Sequence, residues 1–169
     1  MSAQHLALAA ALVAVVLAGA TFGFFYAWVC STMWGLDAIG PRSAIEAMNG
    51  INAAVQNLVF LPSFALTPVA LGLAAVLALA AGRHASAGLL GADASLVVLG
   101  VVVVTFRVHL PLNDALAATG VPADPAEAAR IWQDFSGRWQ RWNLVRMATS
   151  GLALLLAALG LALLRTSGP

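Results

Sequence analysis

The chain has 169 residues, of which 62% are hydrophobic and only 9% charged, with a mean hydropathy of +0.92. Soluble domains carry about 25% charged residues, so this composition excludes a water-soluble globular protein and implies an integral membrane protein. The net charge of +1, from 8 basic and 7 acidic side chains, leaves no face for nucleic acid, and the single cysteine, Cys30, leaves no disulfide or cysteine-based metal centre within one chain.

Crossing a bilayer takes about 20 apolar residues, and stretches of that order lie at residues 6–29, 58–81, 89–106 and 144–164. The first reads as a retained span and not a cleaved signal, because the residues before it hold no Lys or Arg and its apolar run is too long. The connection 31–57 contains Ser43 and Glu46 at capping-box spacing, which predicts a helix that opens there and runs on into the second span. After the third span, the connection 108–143 contains Asp124-Pro125-Ala126-Glu127, an N-cap, a proline at the first helical position and an acid at the third. That predicts a helix leading into span four. Its apolar positions Ile131, Phe135, Trp139 and Trp142 suit an amphipathic segment on the membrane surface or over the bundle mouth. The fold class is all-α: one domain over residues 1–169, an up-down bundle of four transmembrane helices with two longer, partly helical connections on one side.

An even number of spans puts both termini and the short turn at 82–88 on one side, the plain side, and both long connections on the other, the loop side. The loop side holds six arginines, Arg42, Arg107, Arg130, Arg138, Arg141 and Arg146, against Arg83 and Arg165 on the plain side. A literal positive-inside count puts the loops in the cytoplasm, but acids and helix ends beside several of these arginines explain them equally well, so orientation stays open.

Polar residues within spans are costly, so their placement is informative. Thr21, Phe25, Trp28 and Thr32 share a face in the loop-side half of span one. Asn49, Asn52, Gln56, Ser63 and Thr67 fall within about 60° of each other on one helical face, span three ends with Thr105 and His109, and Trp139, Asn143, Arg146 and Ser150 form a stripe opening span four. Antiparallel threading brings all of these to one end, while the other half reads as almost purely Ala, Leu and Val. The convergence predicts a polar cavity open toward the loops. Individually the residues have plainer readings: Ser and Thr bond between helices, Trp sits in interfacial belts, Gly19 and Gly23 let helices approach, and Pro62 and Pro68 kink span two. His5 and His84 lie at the plain edge and His109 at the other, so no three-histidine metal site is expected, and a haem between His5 and His84 is a weak alternative to two interfacial histidines. No phosphate loop or serine elbow is present.

The segments GFFYAW (23–28), AMNGIN (47–52), HLPLNDAL (109–116) and RWQRWNLVR (138–146), each at the loop side of a span, together resemble the anthrone oxygenase-like family of small, mostly bacterial four-helix membrane proteins. The resemblance covers nearly the whole chain. It implies an integral protein of a bacterial plasma membrane, and an oxidation of an anthrone to an anthraquinone by O2 as co-substrate, with no metal or flavin cofactor. The chain departs from the family pattern at Met33-Trp34-Gly35-Leu36 and at Trp142-Asn143-Leu144, the latter lacking a histidine found in many members, so that His109 is left as the loop-side histidine.

Given that reaction, the site needs a base for an acidic benzylic C–H, a cation or donors for the enolate oxygen, and a dry aromatic slot. His109 is the candidate base with Asp114 second, Asn113 is a candidate to orient His109, and Arg146 is the candidate oxyanion partner, helped by Asn143 and Asn52. Trp28, Trp139 and Trp142 would wall the substrate, with Gln56 beside them, and Arg107 is expected to bridge to Asp114. The partners expected are the bilayer, a small hydrophobic aromatic ligand and a second copy of the chain. The chief rival is a non-enzymatic membrane protein that binds a hydrophobic ligand or a partner membrane protein. A transporter is disfavoured by the plain aliphatic half.

Overall fold

The structure is a computed structural model that describes residues 2–166, with Thr166 described by its backbone alone. Its helices are α1 (Ala3–Asp37), α2 (Pro41–Ala54), α3 (Phe60–Ala80), α4 (His84–Thr119) and α5 (Pro125–Thr166). Four of them, α1, α3, α4 and α5, are long and apolar enough to cross a membrane. Each packs on its neighbours in sequence, and α5 closes the ring against α1, giving the expected up-down order with α1 and α4 on a diagonal.

The spanning helices are apolar on every face, so amphipathicity cannot orient them. Size does. Small residues point inward, with Ala7, Ala11 and Ala14 of α1, Ala74 and Ala78 of α3, and Ala153 and Ala157 of α5 fully buried. Large residues such as Val16, Val69, Leu73, Leu99 and Leu155 face outward. Lipid rewards apolar surface as well as a core does, so close approach between small residues is what holds such helices together. The tightest approaches are at Gly100, where a Cβ would lie 2.6 Å from Thr149, at Gly151 against Phe22 and at Gly160 against Leu90. The expected Gly19/Gly23 contact is not among them: Gly23 has nothing within 4 Å of such a Cβ.

The loop-side half is built differently. There Leu36, Ala44, Ile45, Met48, Leu116, Trp132 and Phe135 form a second core that seats α2 across the bundle end, between the tails of α1 and α4 and the head of α5. Asp37 fastens this lid. Its carboxylate accepts from Trp132 Nε1 at 2.9 Å, Ser136 Oγ at 2.7 Å and Gln140 Nε2 at 2.8 Å, tying the end of α1 to α5.

Two connections depart from expectation. Helix α2 begins at Pro41 after an N-cap Gly40, and the cap makes no side-chain hydrogen bond, so Ser43 and Glu46 form no capping box. Proline's fixed φ at the first helical position starts the helix three residues early. Nor does α2 run on into span two. Asn57 intervenes: its Nδ2 donates to Ala54 O at 2.6 Å, ending α2, and its Oδ1 accepts from Val59 N at 2.8 Å and Phe60 N at 3.0 Å, opening α3. By contrast α5 starts as expected, with Asp124 Oδ1 accepting from Ala126 N at 3.1 Å, and continues unbroken into span four.

Helix α4 passes Pro111 without breaking, with Arg107, the residue four before the proline, inside a wider π-helical turn at Thr105–His109, and a further such turn lies upstream at Val97–Val103. Such turns absorb the missing N–H and the bulk of the ring, and are frequent at functional sites. A third wide turn, Trp28–Thr32 in α1, leaves Ala27 O to accept from Ser31 Oγ at 3.1 Å and Thr32 Oγ1 at 3.3 Å.

Candidate active site

In the loop-side half, Trp28 from the wide turn of α1 and Thr105, Phe106 and His109 from that of α4 line a cavity of about 460 Å³. This is within the ~300–1,000 Å³ of small-molecule sites. Its floor is Arg146. The guanidinium is 6% exposed, donates from Nη2 to Asn143 Oδ1 at 2.8 Å and from Nη1 to Thr105 Oγ1 at 3.2 Å, and leaves Nε without a partner. Its Cζ stands 4.5 Å from the Phe25 ring centroid and 5.3 Å from that of Trp139. Among the described residues the one ion pair is Arg130–Glu127, at the exposed head of α5, so Arg146 has no carboxylate. A charge held in the membrane with aromatic faces but no counter-ion is costly, and an anion in the cavity would complete it.

His109 is 1% exposed, and its ring lies edge-on to Trp139 with centroids 5.0 Å apart. Neither ring nitrogen has a hydrogen-bond partner, although the backbones of Val104 and Trp139 lie near the ring. A neutral imidazole carries one N–H and one lone pair, and the ring of His109 lines the cavity. Trp139 also lies tilted against Trp28 with ring centroids 4.8 Å apart, and the two indoles with Phe24 and Phe25 make an aromatic wall of inclined rings.

The roof is an amide chain. Trp139 Nε1 donates to Asn113 Oδ1 and Asn113 Nδ2 donates to Asn52 Oδ1, each at 3.2 Å, joining α5, α4 and α2. Asn52 Nδ2 and Asn49 Oδ1 are left buried without partners. Both residues line the cavity. Such orphaned groups are rare in proteins and call for a ligand or water.

This arrangement can be set beside known proteins. A family model for anthrone oxygenase matches residues 55–156. The chain belongs to the anthrone oxygenase family. No curated protein and no solved structure matches it significantly. The matched region of this anthrone oxygenase family member holds His109, Asn113, Asp114, Trp139, Asn143 and Arg146, while Trp28 and Asn52 stand before it.

Of the residues singled out in the sequence, Trp28, Asn52, His109, Asn113, Trp139 and Arg146 line the cavity, and Gln56 and Asp114 lie on its exposed rim. Asn143 sits behind Arg146, where its Nδ2 donates to Phe25 O at 3.3 Å, so it positions the guanidinium and does not itself line the cavity. Three readings are corrected. Trp142 is 43% exposed and outside the cavity, because on a straight helix it falls about 60° from Trp139 and the bundle covers only a narrow face of α5. Asn113 bonds Trp139 and Asn52, not His109. Arg107 and Asp114 form no ion pair among the described residues. Thr21 and Thr67 lie below the cavity, their hydroxyls 3.1 Å apart and both donating to Ser63 O.

Sequence reasoning also missed Asp93. The half read as Ala, Leu and Val contains this carboxyl, 0% exposed in α4, with neither oxygen hydrogen-bonded among the described residues. The signal was the plain one of an acid inside an apolar span.

Proposed function

We propose that this family member is a membrane-bound, cofactor-independent oxygenase that converts a flat, lipid-soluble, anthrone-like aromatic to its quinone with O2. The observation that carries the reading is Arg146, a buried cation without a carboxylate, facing the same aromatic cavity as the unpartnered imidazole of His109.

An anthrone's CH2 is acidified by the carbonyl across the ring. His109 takes one proton, and Arg146, whose Nε has no partner, holds the enolate oxygen that forms. The electron-rich carbanion passes an electron to O2 and the radical pair combines as a C–O bond. The peroxide anion recovers the proton from His109. Removal of the second benzylic proton by His109 then breaks the O–O bond, leaving the quinone carbonyl, and the departing hydroxide takes that proton as water. One anthrone and one O2 thus give one quinone and one water. Trp28 and Trp139 would hold the ring plane, and the amides of Asn49 and Asn52 would bond polar groups at its other end.

Chelator-treated protein in detergent, given an anthrone and isotopically labelled O2, tests this. The reading expects quinone carrying one label from O2 with undiminished rate after chelation. Loss of activity on chelation, or label from water only, would overturn it.

A further inference from the structure

The cavity's walls differ. Its lining from α1 and α5, including Phe25, Trp28, Trp139 and Arg146, is buried. On the other side Leu61 of α3 and Phe106 of α4 are 43% and 57% exposed while also lining the cavity, so it reaches the surface between them. These helices pack closely along His84–Leu96, touch at few positions along Val97–Val103, and have parted where Thr105–His109 begins. The separation coincides with the widened turns Val97–Val103 and Thr105–His109.

The outward face of α3 beside this gap is apolar, whereas the exposed cavity residues Gln56, Asp114 and Ala117 lie toward the loop end. Leu58 and Val59, just before α3, are each 88% exposed, and the outward row continues through Leu66 and Val69. Such a surface is satisfied by lipid and penalised by water. We propose that the cavity is filled sideways from the bilayer, through the gap between α3 and α4 flanked by Leu61 and Phe106, by a flat apolar molecule dissolved in the lipid. Its polar atoms would travel last and meet Arg146 and the amides only inside. This rests on the cavity being the ligand site assumed above, but not on turnover.

The test uses the full chain in phosphatidylcholine vesicles, with anthraquinone, which is already oxidised, as the probe. Binding is followed by quenching of the cavity tryptophans Trp28 and Trp139 in a Trp34→Phe, Trp142→Phe background, which removes the two exposed indoles and leaves Trp132 buried under the lid. The quenching rate is expected to follow the mole fraction of anthraquinone in the lipid, at constant total concentration. Leu61→Phe, which narrows the gap, should slow it about tenfold, and Phe106→Ala, which widens it, should speed it, because a restricted passage lowers the association rate. Opposite signs from the two variants separate gating from misfolding. Rates that ignore both substitutions and fall instead in Ala117→Phe, at the water-side rim, would overturn the proposal, as would absence of quenching at any lipid loading. Quenching with the expected kinetics but no oxidation of an anthrone would refute the oxygenase reading and leave the lateral passage standing.

Discussion

Arg146 is held by Asn143, Thr105 and two aromatic faces, yet no carboxylate neutralises it. If it stabilises the enolate, Arg146→Ala should lower kcat by about 10²–10³-fold, the usual cost of losing an oxyanion donor. Arg146→Lys should recover only part, since a point charge cannot reach Asn143 and Thr105 while also presenting a third donor. Steady-state oxygen uptake checks both. Asp93 predicts the opposite sense for stability. A buried carboxyl without a hydrogen bond costs about 1–3 kcal/mol, so Asp93→Ala should raise the thermal midpoint in detergent and leave anthrone binding intact. A lowered midpoint would mean that Asp93 has a stabilising role. The individual site residues were legible where helix periodicity is a local rule, as with Trp139, Asn143 and Arg146. Asn113 was read wrongly because its partners, Asn52 and Trp139, come from other elements, and nothing in the sequence near Asn113 names them.

The elements themselves were mostly readable. The start of α5 was explicit in Asp124-Pro125, and the spans in their length. The end of α2 was not, because Asn57 competes with helix through its own side chain, and the apolar residues after it look continuous with span two. The π turns leave no pattern in composition, although Pro111 hinted that α4 must adjust. Asp37 is an element-scale joint: it accepts three hydrogen bonds from α5. Asp37→Ala should destabilise the lid by about 1.5–3 kcal/mol, as expected for bonds to a charged group, seen as faster amide exchange in α2 and the head of α5 with the spans unaffected. Packing gives a second contrast. Gly100→Ala would force a methyl to 2.6 Å from Thr149 and should cost about 1–3 kcal/mol, whereas Gly23→Ala meets nothing within 4 Å and should be neutral by the same thermal assay.

At the scale of the whole molecule, scarce polarity is gathered at one end. The plain half is a scaffold of small residues, broken by Asp93, and the loop half carries the lid, the aromatic walls and the buried cation. Composition alone gave the membrane. The up-down order was legible in the succession of four spans, but the gap beside the cavity was not, since it depends on how α3 and α4 diverge. Family membership, an aromatic-walled cavity and an unpaired guanidinium together support the proposed oxidation of a lipid-borne aromatic. The most direct measurement is oxygen consumption with an anthrone in proteoliposomes, comparing wild type, Arg146→Ala and His109→Ala. The account predicts acceleration by wild type over empty vesicles, with each variant about 10²-fold or more slower. Equal rates in all of these and in empty vesicles would contradict it, and would return the cavity to a binding role without chemistry.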